Sequence, residues 1–293
     1  MISRESASRP PLRAGRPSLA RRAWNAAFAA ACLFSSALIL LPLALIVWHL
    51  AAKGLPALRP GFFFHLPKPV GEPGGGMANA IVGTLILVGL GSLFAVPVGV
   101  GAGLYLAEYG GGRLATFARY TTDLLAGVPS IVVGVAAYGL VVVPMGRFSA
   151  IAGGLALGIL MLPTIIRSTE EVVRLVPQSY RHAALALGAP RWRVIQSVVL
   201  PAAAGGVVTA ILLAFARAAG ETAPLLFTAL GNRFWSVALD RPIASLPVFI
   251  FDYARSPYDD WNRQAWTGAL VLLMLVALIS AALRLVTRRI PQR

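Results

Sequence analysis

Six runs of apolar residues, each long enough to cross a lipid bilayer, constrain the fold of this chain more than any other feature. A hydrocarbon core of about 30 Å takes about 20 residues at the rise of an α-helix. The six runs cover residues 26–50, 80–106, 122–144, 149–166, 202–230 and 265–286. They predict an all-α polytopic membrane protein with six transmembrane helices. A content of 57% hydrophobic and 13% charged residues agrees with a lipid environment.

The distribution of basic residues predicts the orientation of these helices. Cytoplasmic flanks of membrane helices carry an excess of Lys and Arg. If both termini are cytoplasmic, 17 of the 26 basic residues lie in cytoplasmic segments, eight lie in external segments, and Arg217 lies within the membrane. We therefore expect both termini in the cytoplasm. Because most basic residues flank apolar runs, the net charge of +15 indicates membrane orientation and no nucleic-acid partner.

Composition divides the chain into four regions. Residues 1–25 contain six Arg and no apolar periodicity, and we expect a disordered cytoplasmic tail there. Residues 26–50 form the first transmembrane helix, and residues 51–79, which are rich in Pro and Gly, form an irregular external loop. Residues 80–293 hold the other helices and a long cytoplasmic loop, 167–201.

Small residues and prolines mark the second to fourth apolar runs. Their many glycines predict helices that approach one another closely. Pro97, Pro129 and Pro163 predict kinks or breaks, which lipid tolerates only where neighbouring groups satisfy the freed carbonyls.

The cytoplasmic loop is too polar to span a membrane and carries the signals of one short helix. Pro177 can begin a helix over residues 178–187, and Gly188 can end it with a positive φ. Ala183, Ala184 and Leu187 then share a small apolar face. Such a helix suits insertion into a groove on another protein. A helix held at the membrane surface by its Arg residues has the same periodicity. The pattern therefore does not distinguish a docking helix from a membrane-surface helix.

Two charged residues interrupt the fifth apolar run. An intramembrane charge costs at least about 2.5 kcal/mol, so Arg217 and Glu221 require an explanation. Spaced by four residues, they lie on one helical face and can neutralise each other, while Gly220 and Pro224 make the helix breakable. One interpretation is a structural ion pair. The other is an anion pathway or gate, formed with Thr222, in which the guanidinium offers forked donors to an oxyanion.

Nothing in the sequence indicates catalysis, a metal or a cofactor. A phosphate-binding P-loop needs Gly before its Lys, whereas the two lysines, Lys53 and Lys68, follow Ala52 and Pro67. The membrane runs contain no His cluster, paired carboxylates or Ser/His arrangement suited to an intramembrane enzyme. An active transporter with this sequence would take its energy from a partner.

The cytoplasmic loop resembles the signature of permease subunits of binding-protein-dependent ABC importers. That signature reads Glu-Ala-Ala, three residues, Gly, nine residues, Ile, any residue, Leu-Pro. The positions that match its spacing are His182, Ala183, Ala184, Gly188, Leu200 and Pro201. The resemblance implies a type I ABC importer permease architecture and a loop that docks on a separate ATP-hydrolysing subunit. His182 replaces the usual Glu, which puts a charge contact to that subunit in doubt.

A second resemblance narrows the family to phosphate importer permeases of the PstA type. It rests on Arg-Ala-Ala-Gly-Glu-Thr-Ala-Pro-Leu-Leu at 217–226, and on segments 78–84, 102–109 and 126–134. It implies a bacterial inner-membrane protein whose partners are a homologous second permease, two ATP-binding subunits and an external phosphate-binding protein. One Arg and one Glu do not select phosphate over sulfate or molybdate by themselves. A secondary transporter or channel without an ATPase is the alternative from another class.

Overall fold

The apolar runs form long helices whose bounds differ from the predicted ones. The computed structural model describes residues 19–72 and 74–288, with side chains up to residue 285. The helices are α1 (Leu19–Gly54), α2 (Ala78–Glu108), α3 (Arg113–Gly127), α4 (Ser130–Met145), α5 (Ala150–Arg174), α6 (Gln178–Ala186), α7 (Arg191–Ala219), α8 (Ala223–Thr228), α9 (Leu246–Ala254) and α10 (Asp259–Arg288). Short 3₁₀ turns lie at Leu55–Ala57 and Pro60–Phe63. The all-α prediction is therefore confirmed for the described residues.

The number of spans agrees with the prediction only if one span is broken. Within the described ranges, α1, α2, α5, α7 and α10 are each long and apolar enough to cross a membrane. The predicted third span, 122–144, is wrong as a single helix, because α3 and α4 meet at an angle of 105°. Val128 and Pro129 between them are extended. The ring of a proline disfavours the helical conformation of the residue before it, which explains the break.

The predicted fifth span, 202–230, is also divided. Helix α7 begins at Arg191 and ends at Ala219, and the separate short helix α8 begins at Ala223. Gly220 ends α7, and Pro224 lies in the first turn of α8, where its missing N–H leaves no hydrogen bond unmade. The break between them places Glu221 outside regular helix. The predicted weakness at Gly220 and Pro224 is confirmed, whereas Pro97 and Pro163 lie inside continuous helices.

Of the described residues, those up to His49 form one unit, which consists of most of α1. This helix begins at Leu19, so it includes part of the predicted tail; residues 1–18 of that tail lie outside the described residues. No side chain is buried in its most apolar stretch. Such a helix is compatible with lipid because its backbone hydrogen bonds are internal.

Residues from Leu50 onward form the second unit, whose centre is the close packing of α2 against α5. A Cβ atom at Gly91 would lie 3.0 Å from the carbonyl oxygen of Gly154, and one at Gly103 would lie 2.8 Å from that of Ile166. Glycine at these positions lets the two backbones approach, as the small residues predicted. Leu87 of α2 and Leu157 of α5 are fully buried in the resulting core, which α7 and α8 complete.

Backbone groups at the start of α5 are satisfied by the segment that follows α8. Ser149 N–H donates to the Thr228 carbonyl at 3.0 Å, and Ala150 N–H donates to that of Arg241 at 3.1 Å. The Ser149 hydroxyl caps the helix by accepting from Ala152 N–H at 3.1 Å. These bonds use N–H groups that a helix start leaves without internal partners. They fix the segment after the break against the helix core.

Candidate coupling helix and anion pathway

The short helix predicted in the cytoplasmic loop is present as α6, over Gln178–Ala186. Pro177 precedes its first turn in an extended conformation, and Gly188 follows its end with φ of +81°. Both are the roles predicted for these residues. The predicted loop, 167–201, is shorter than expected because α5 continues to Arg174 and α7 begins at Arg191. The two membrane helices extend beyond the apolar part of their sequences.

Arg181 attaches α6 to the ends of α2 and α5. Its Nε and Nη2 donate to the Glu108 carboxylate at 2.9 and 2.6 Å, and the side chains of Arg181 and Glu108 are only 10% and 13% exposed. Nη2 also donates to the Val173 carbonyl at 2.9 Å, and Nη1 donates to that of Val176. Charge-assisted bonds of this kind are the strong ones, and the planar guanidinium makes several at once. The orientation of α6 is therefore fixed by two other helices.

Sequence reasoning missed the Arg181–Glu108 pair. Arg181 counted only as one of the basic flanking residues, and Glu108 belonged to a segment singled out by resemblance. The two residues are 73 positions apart, beyond the reach of any helical periodicity. The available signal was that each lies near the cytoplasmic end of its segment. Proximity of helix ends does not specify which residues pair.

The predicted coupling residues occupy different environments. His182 and Ala183 are exposed on α6, whereas Ala184 packs on a buried cluster that includes Val173, Val194 and Val199. The last two predicted residues, Leu200 and Pro201, lie within the continuous helix α7 rather than in a loop. The exposed face of α6 is thus the part that can contact another protein. Large apolar side chains around it are also exposed: Leu175, Tyr180, Leu187 and Trp192.

A second ionic cluster joins α3 to α2 and α5 at the same end of the helices. Glu170 is 3% exposed and accepts from Arg119 Nε at 2.8 Å, and Arg174 Nη2 lies 2.6 Å from its carboxylate. Arg119 also donates to the carbonyls of Leu106 and Gly110, at 2.9 and 3.1 Å. Since these carbonyls belong to the end of α2 and the turn after it, Arg119 satisfies acceptors that lack intrahelical donors.

The Arg217–Glu221 pair lies at the opposite end of α7. At about 1.5 Å per residue, Arg217 is about 24 Å along the helix axis from Pro201. Its Nε lies 3.7 Å from Glu221 Oε1, an ion-pair distance that is too long for a hydrogen bond. The Arg217 side chain is 59% exposed and that of Glu221 is 19% exposed. Arg217 therefore lies on the surface of this chain, with guanidinium donors that can reach a further group.

The helix after the break packs directly against the broken third span. A Cβ atom at Gly134 of α4 would lie 2.6 Å from the Cα atom of Pro224 in α8, so the backbones touch. Thr222 precedes α8, and its carbonyl accepts from Leu225 N–H at 3.1 Å. The fold thus brings segment 126–134 to segment 217–226, two of the segments that the sequence singled out. Their contact holds the break in α7 in place beside Arg217.

Comparisons with known proteins agree with this arrangement. Residues 99–293 match the family model described as binding-protein-dependent transport system inner membrane component. The chain is 45% identical, over 260 residues, to the phosphate transport system permease protein PstA of Yersinia pestis, covering 87% of this chain and 88% of that protein. It is 39% identical to the phosphate transport system permease protein PstA 1 of Mycobacterium tuberculosis (strain ATCC 25618 / H37Rv), covering 91% of this chain and 89% of that protein.

A solved structure shares the fold. The chain is similar to one in an inward-facing structure of the MetNI methionine ABC transporter, with a TM-score of 0.61 and 20% identity. The similarity covers 73% of this chain and 97% of that one. At this level of identity the likeness concerns the arrangement of helices alone.

Proposed function

This chain belongs to the family of binding-protein-dependent transport system inner membrane components, and from that premise we propose that it is the permease subunit of an ATP-driven phosphate importer. Its fold is that of a type I ABC importer permease. Relatives that match most of its length are named as phosphate transport permeases. The observation that carries the choice of an anionic substrate is the exposed guanidinium of Arg217 beside the break in α7.

Arg217, Glu221 and Thr222 form this chain's part of the phosphate pathway. A guanidinium binds tetrahedral oxyanions through parallel N–H donors, and the 3.7 Å separation from Glu221 leaves those donors available. The Glu221 carboxylate holds the guanidinium in position while the pathway is empty and repels an anion that approaches too far. Because Arg217 is exposed on this chain, the pathway is completed by a second, homologous permease that faces it.

ATP hydrolysis belongs to a separate pair of ATP-binding subunits, which contact the exposed face of α6 through His182, Ala183 and the preceding turn. Gly188 ends that helix, Ala184 packs it inward, and Leu200 and Pro201 begin the apolar part of α7 behind it. The complex lies in the bacterial inner membrane with both termini of this chain cytoplasmic. An external phosphate-binding protein delivers the substrate to the other face.

Movement of the ATP-binding subunits reaches the pathway through rigid connections. A displacement of α6 is passed to α2 through Arg181 and Glu108, to the end of α5 through the Val173 carbonyl, and to the turn after α5 through the Val176 carbonyl. Closely packed helices such as α2 and α5 move together, because packed interfaces switch between discrete arrangements rather than deforming. When ATP is bound, this movement tilts the helices and opens the pathway outward. Phosphate passes Arg217 and leaves inward after hydrolysis.

The proposal is tested by reconstituting the complete complex in proteoliposomes and measuring ATP-dependent uptake of radiolabelled phosphate. We expect uptake that requires the external binding protein and is little affected by excess sulfate or molybdate. Competition by sulfate or molybdate equal to that by unlabelled phosphate would assign the permease to another oxyanion. Uptake without ATP-binding subunits would indicate a secondary transporter or channel.

A further inference from the structure

Three of the basic residues on the face predicted to be external line one cavity. External segments of membrane proteins are usually poor in Lys and Arg, yet this chain places eight there in the predicted topology. Three of them, Lys53, Arg59 and Arg263, line a single cavity of about 520 Å³. His65 lines it as well, and Asp260 is the acidic residue in its wall. Membrane orientation does not explain why these three basic residues are external, but all three line the same cavity.

The walls of this basic cavity are held by specific contacts. Where the end of α1 meets α10, the Thr267 hydroxyl donates to the Gly54 carbonyl at 3.1 Å. A Cβ atom at Gly54 would lie 2.9 Å from the Trp266 carbonyl oxygen, so the two backbones touch. The third wall is the loop between α1 and α2, which is anchored by the buried ring of Phe62.

Backbone hydrogen bonds shape that loop. His65 N–H donates to the Gly61 carbonyl at 2.8 Å, and the His65 carbonyl accepts from Ala78 N–H at 3.2 Å. The Gln264 side-chain amide donates to the Gly74 carbonyl at 3.3 Å, which joins the loop to α10. The loop predicted to be irregular therefore closes a defined cavity between two membrane helices.

The charges of the cavity favour an anionic occupant. Among the described residues, Lys53, Arg59 and Arg263 form no ion pair with a carboxylate, although Asp260 lines the same cavity. Three cations facing one acid repel one another, and a bound anion relieves that repulsion. Two guanidinium groups and one ammonium supply N–H donors of the types that bind phosphate oxygens.

The cavity lies at the level where a membrane surface is expected. Lys53 follows the apolar stretch of α1, and Arg263 precedes the apolar stretch of α10 that begins at Ala265. Exposed aromatic side chains of Phe64 and Trp266 lie nearby in the chain, as is typical of the interface between lipid and water. We propose that this cavity binds a phosphate-bearing anion at the outer membrane surface, supplied by an anionic lipid headgroup or by free inorganic phosphate.

The test compares two triple variants of the full chain. In one, Lys53, Arg59 and Arg263 are each changed to Gln; in the matched control, Arg147, Arg241 and Arg255, which are external in the predicted topology but do not line the cavity, are each changed to Gln. Both carry Arg217→Ala, so that binding in the pathway does not contribute. Retained phosphatidylglycerol is compared with phosphatidylcholine by native mass spectrometry, and inorganic phosphate binding is measured by equilibrium dialysis.

We expect the cavity variant to bind one of the two anions at least about tenfold more weakly, with the control within about twofold of the parent. Loss of phosphatidylglycerol alone identifies the lipid as the source, and loss of inorganic phosphate alone identifies the free ion. Unchanged binding of both anions overturns the proposal. If the cavity variant binds both anions normally but binds the external phosphate-binding protein more weakly, the proposal is also overturned, and the cavity is assigned to protein docking.

Correct folding is checked by size-exclusion chromatography. If the triple variant aggregates, Arg263→Gln and Arg263→Lys are compared instead. Substitution by Lys retains the charge but not the fork, so we expect a smaller loss of affinity than with Gln. Equal affinity of these two variants and the parent contradicts the proposal. Because binding is measured without transport, the outcome does not depend on the proposed importer function.

Discussion

Two of the arginines that pair with glutamate, Arg181 and Arg217, lie at opposite ends of the helices, and their surroundings differ. Arg181 is 10% exposed and donates to Glu108 and to two backbone carbonyls. Arg217 is 59% exposed, and its Nε is 3.7 Å from Glu221, beyond hydrogen-bond range. The first guanidinium uses its donors within the protein, whereas the second keeps them available. Arg181 is therefore suited to a fixed connection and Arg217 to a transient ligand.

The energetics of the two pairs support this distinction. Removing one member of a buried ion pair costs about 3–5 kcal/mol, because the remaining charge is left unpaired. Exposed pairs contribute about 0–1 kcal/mol. Stability thus accounts for Arg181 and Glu108, but it gives little reason to keep a charge at Arg217 in an apolar helix. Substitutions at the two ends should separate loss of function from loss of structure.

The largest effect is expected from Arg217→Ala. We expect phosphate uptake by the reconstituted complex to fall by at least about 100-fold, because the anion loses its forked donor in the pathway. Assembly should be unchanged, since the Arg217 side chain is 59% exposed and its distance to Glu221 is too long for a hydrogen bond. The matched variant Arg217→Lys, which retains the charge without the fork, should give intermediate uptake. Wild-type uptake by Arg217→Ala contradicts the pathway assignment.

A somewhat smaller loss of uptake, about tenfold, is expected from Arg181→Met, together with a loss of stability of about 3 kcal/mol. The unpaired Glu108 carboxylate causes the destabilisation, so Glu108→Gln in the same chain should recover part of it. Thermal unfolding in detergent measures the stability. Arg193→Met removes an exposed arginine near the same end and serves as the control. If Arg181→Met and Arg193→Met show the same uptake and the same stability, Arg181 does not connect α6 to α2.

The contact that holds the break in α7 is tested at Gly134. A Cβ atom there would lie 2.6 Å from the Cα atom of Pro224, so Gly134→Ala should destabilise the chain by about 1–3 kcal/mol and lower uptake severalfold. Gly139 lies on the same helix, and a Cβ atom there meets nothing within 4 Å. Gly139→Ala should therefore leave uptake unchanged. Equal uptake by Gly134→Ala and Gly139→Ala would show that the contact between α4 and α8 is not needed for transport.

The smallest effect is expected from His182→Glu, which introduces the residue usual at this position in the family that the loop resembles. The His182 side chain is exposed, so the substitution changes a solvent-accessible contact of α6 and leaves its buried packing intact. We expect affinity for the ATP-binding subunits to change by less than about fivefold and uptake to change little. Surface plasmon resonance measures that affinity. Complete loss of binding would place His182 at the centre of the interface.

The accuracy of the sequence-based predictions depended on how local each feature is. The cap at Gly188 and the break near Gly220 follow from neighbouring residues, and both are present. Pro129 indicated a kink, but the 105° angle depends on how α4 packs against α8. The Arg181–Glu108 pair joins residues far apart in sequence, which only the packing of α2 and α5 brings together. Pairing between close neighbours, as of Arg217 with Glu221, was therefore predictable from spacing, and pairing between distant segments was not.

The division of roles between the two arginines is tested most directly by measuring binding-protein-stimulated ATP hydrolysis and phosphate uptake in the same proteoliposomes. We predict that Arg217→Ala retains stimulated hydrolysis while uptake falls to background. Arg181→Met should instead lose most of the stimulation, because α6 is no longer attached to α2. Loss of stimulation in Arg217→Ala together with normal stimulation in Arg181→Met would contradict this account.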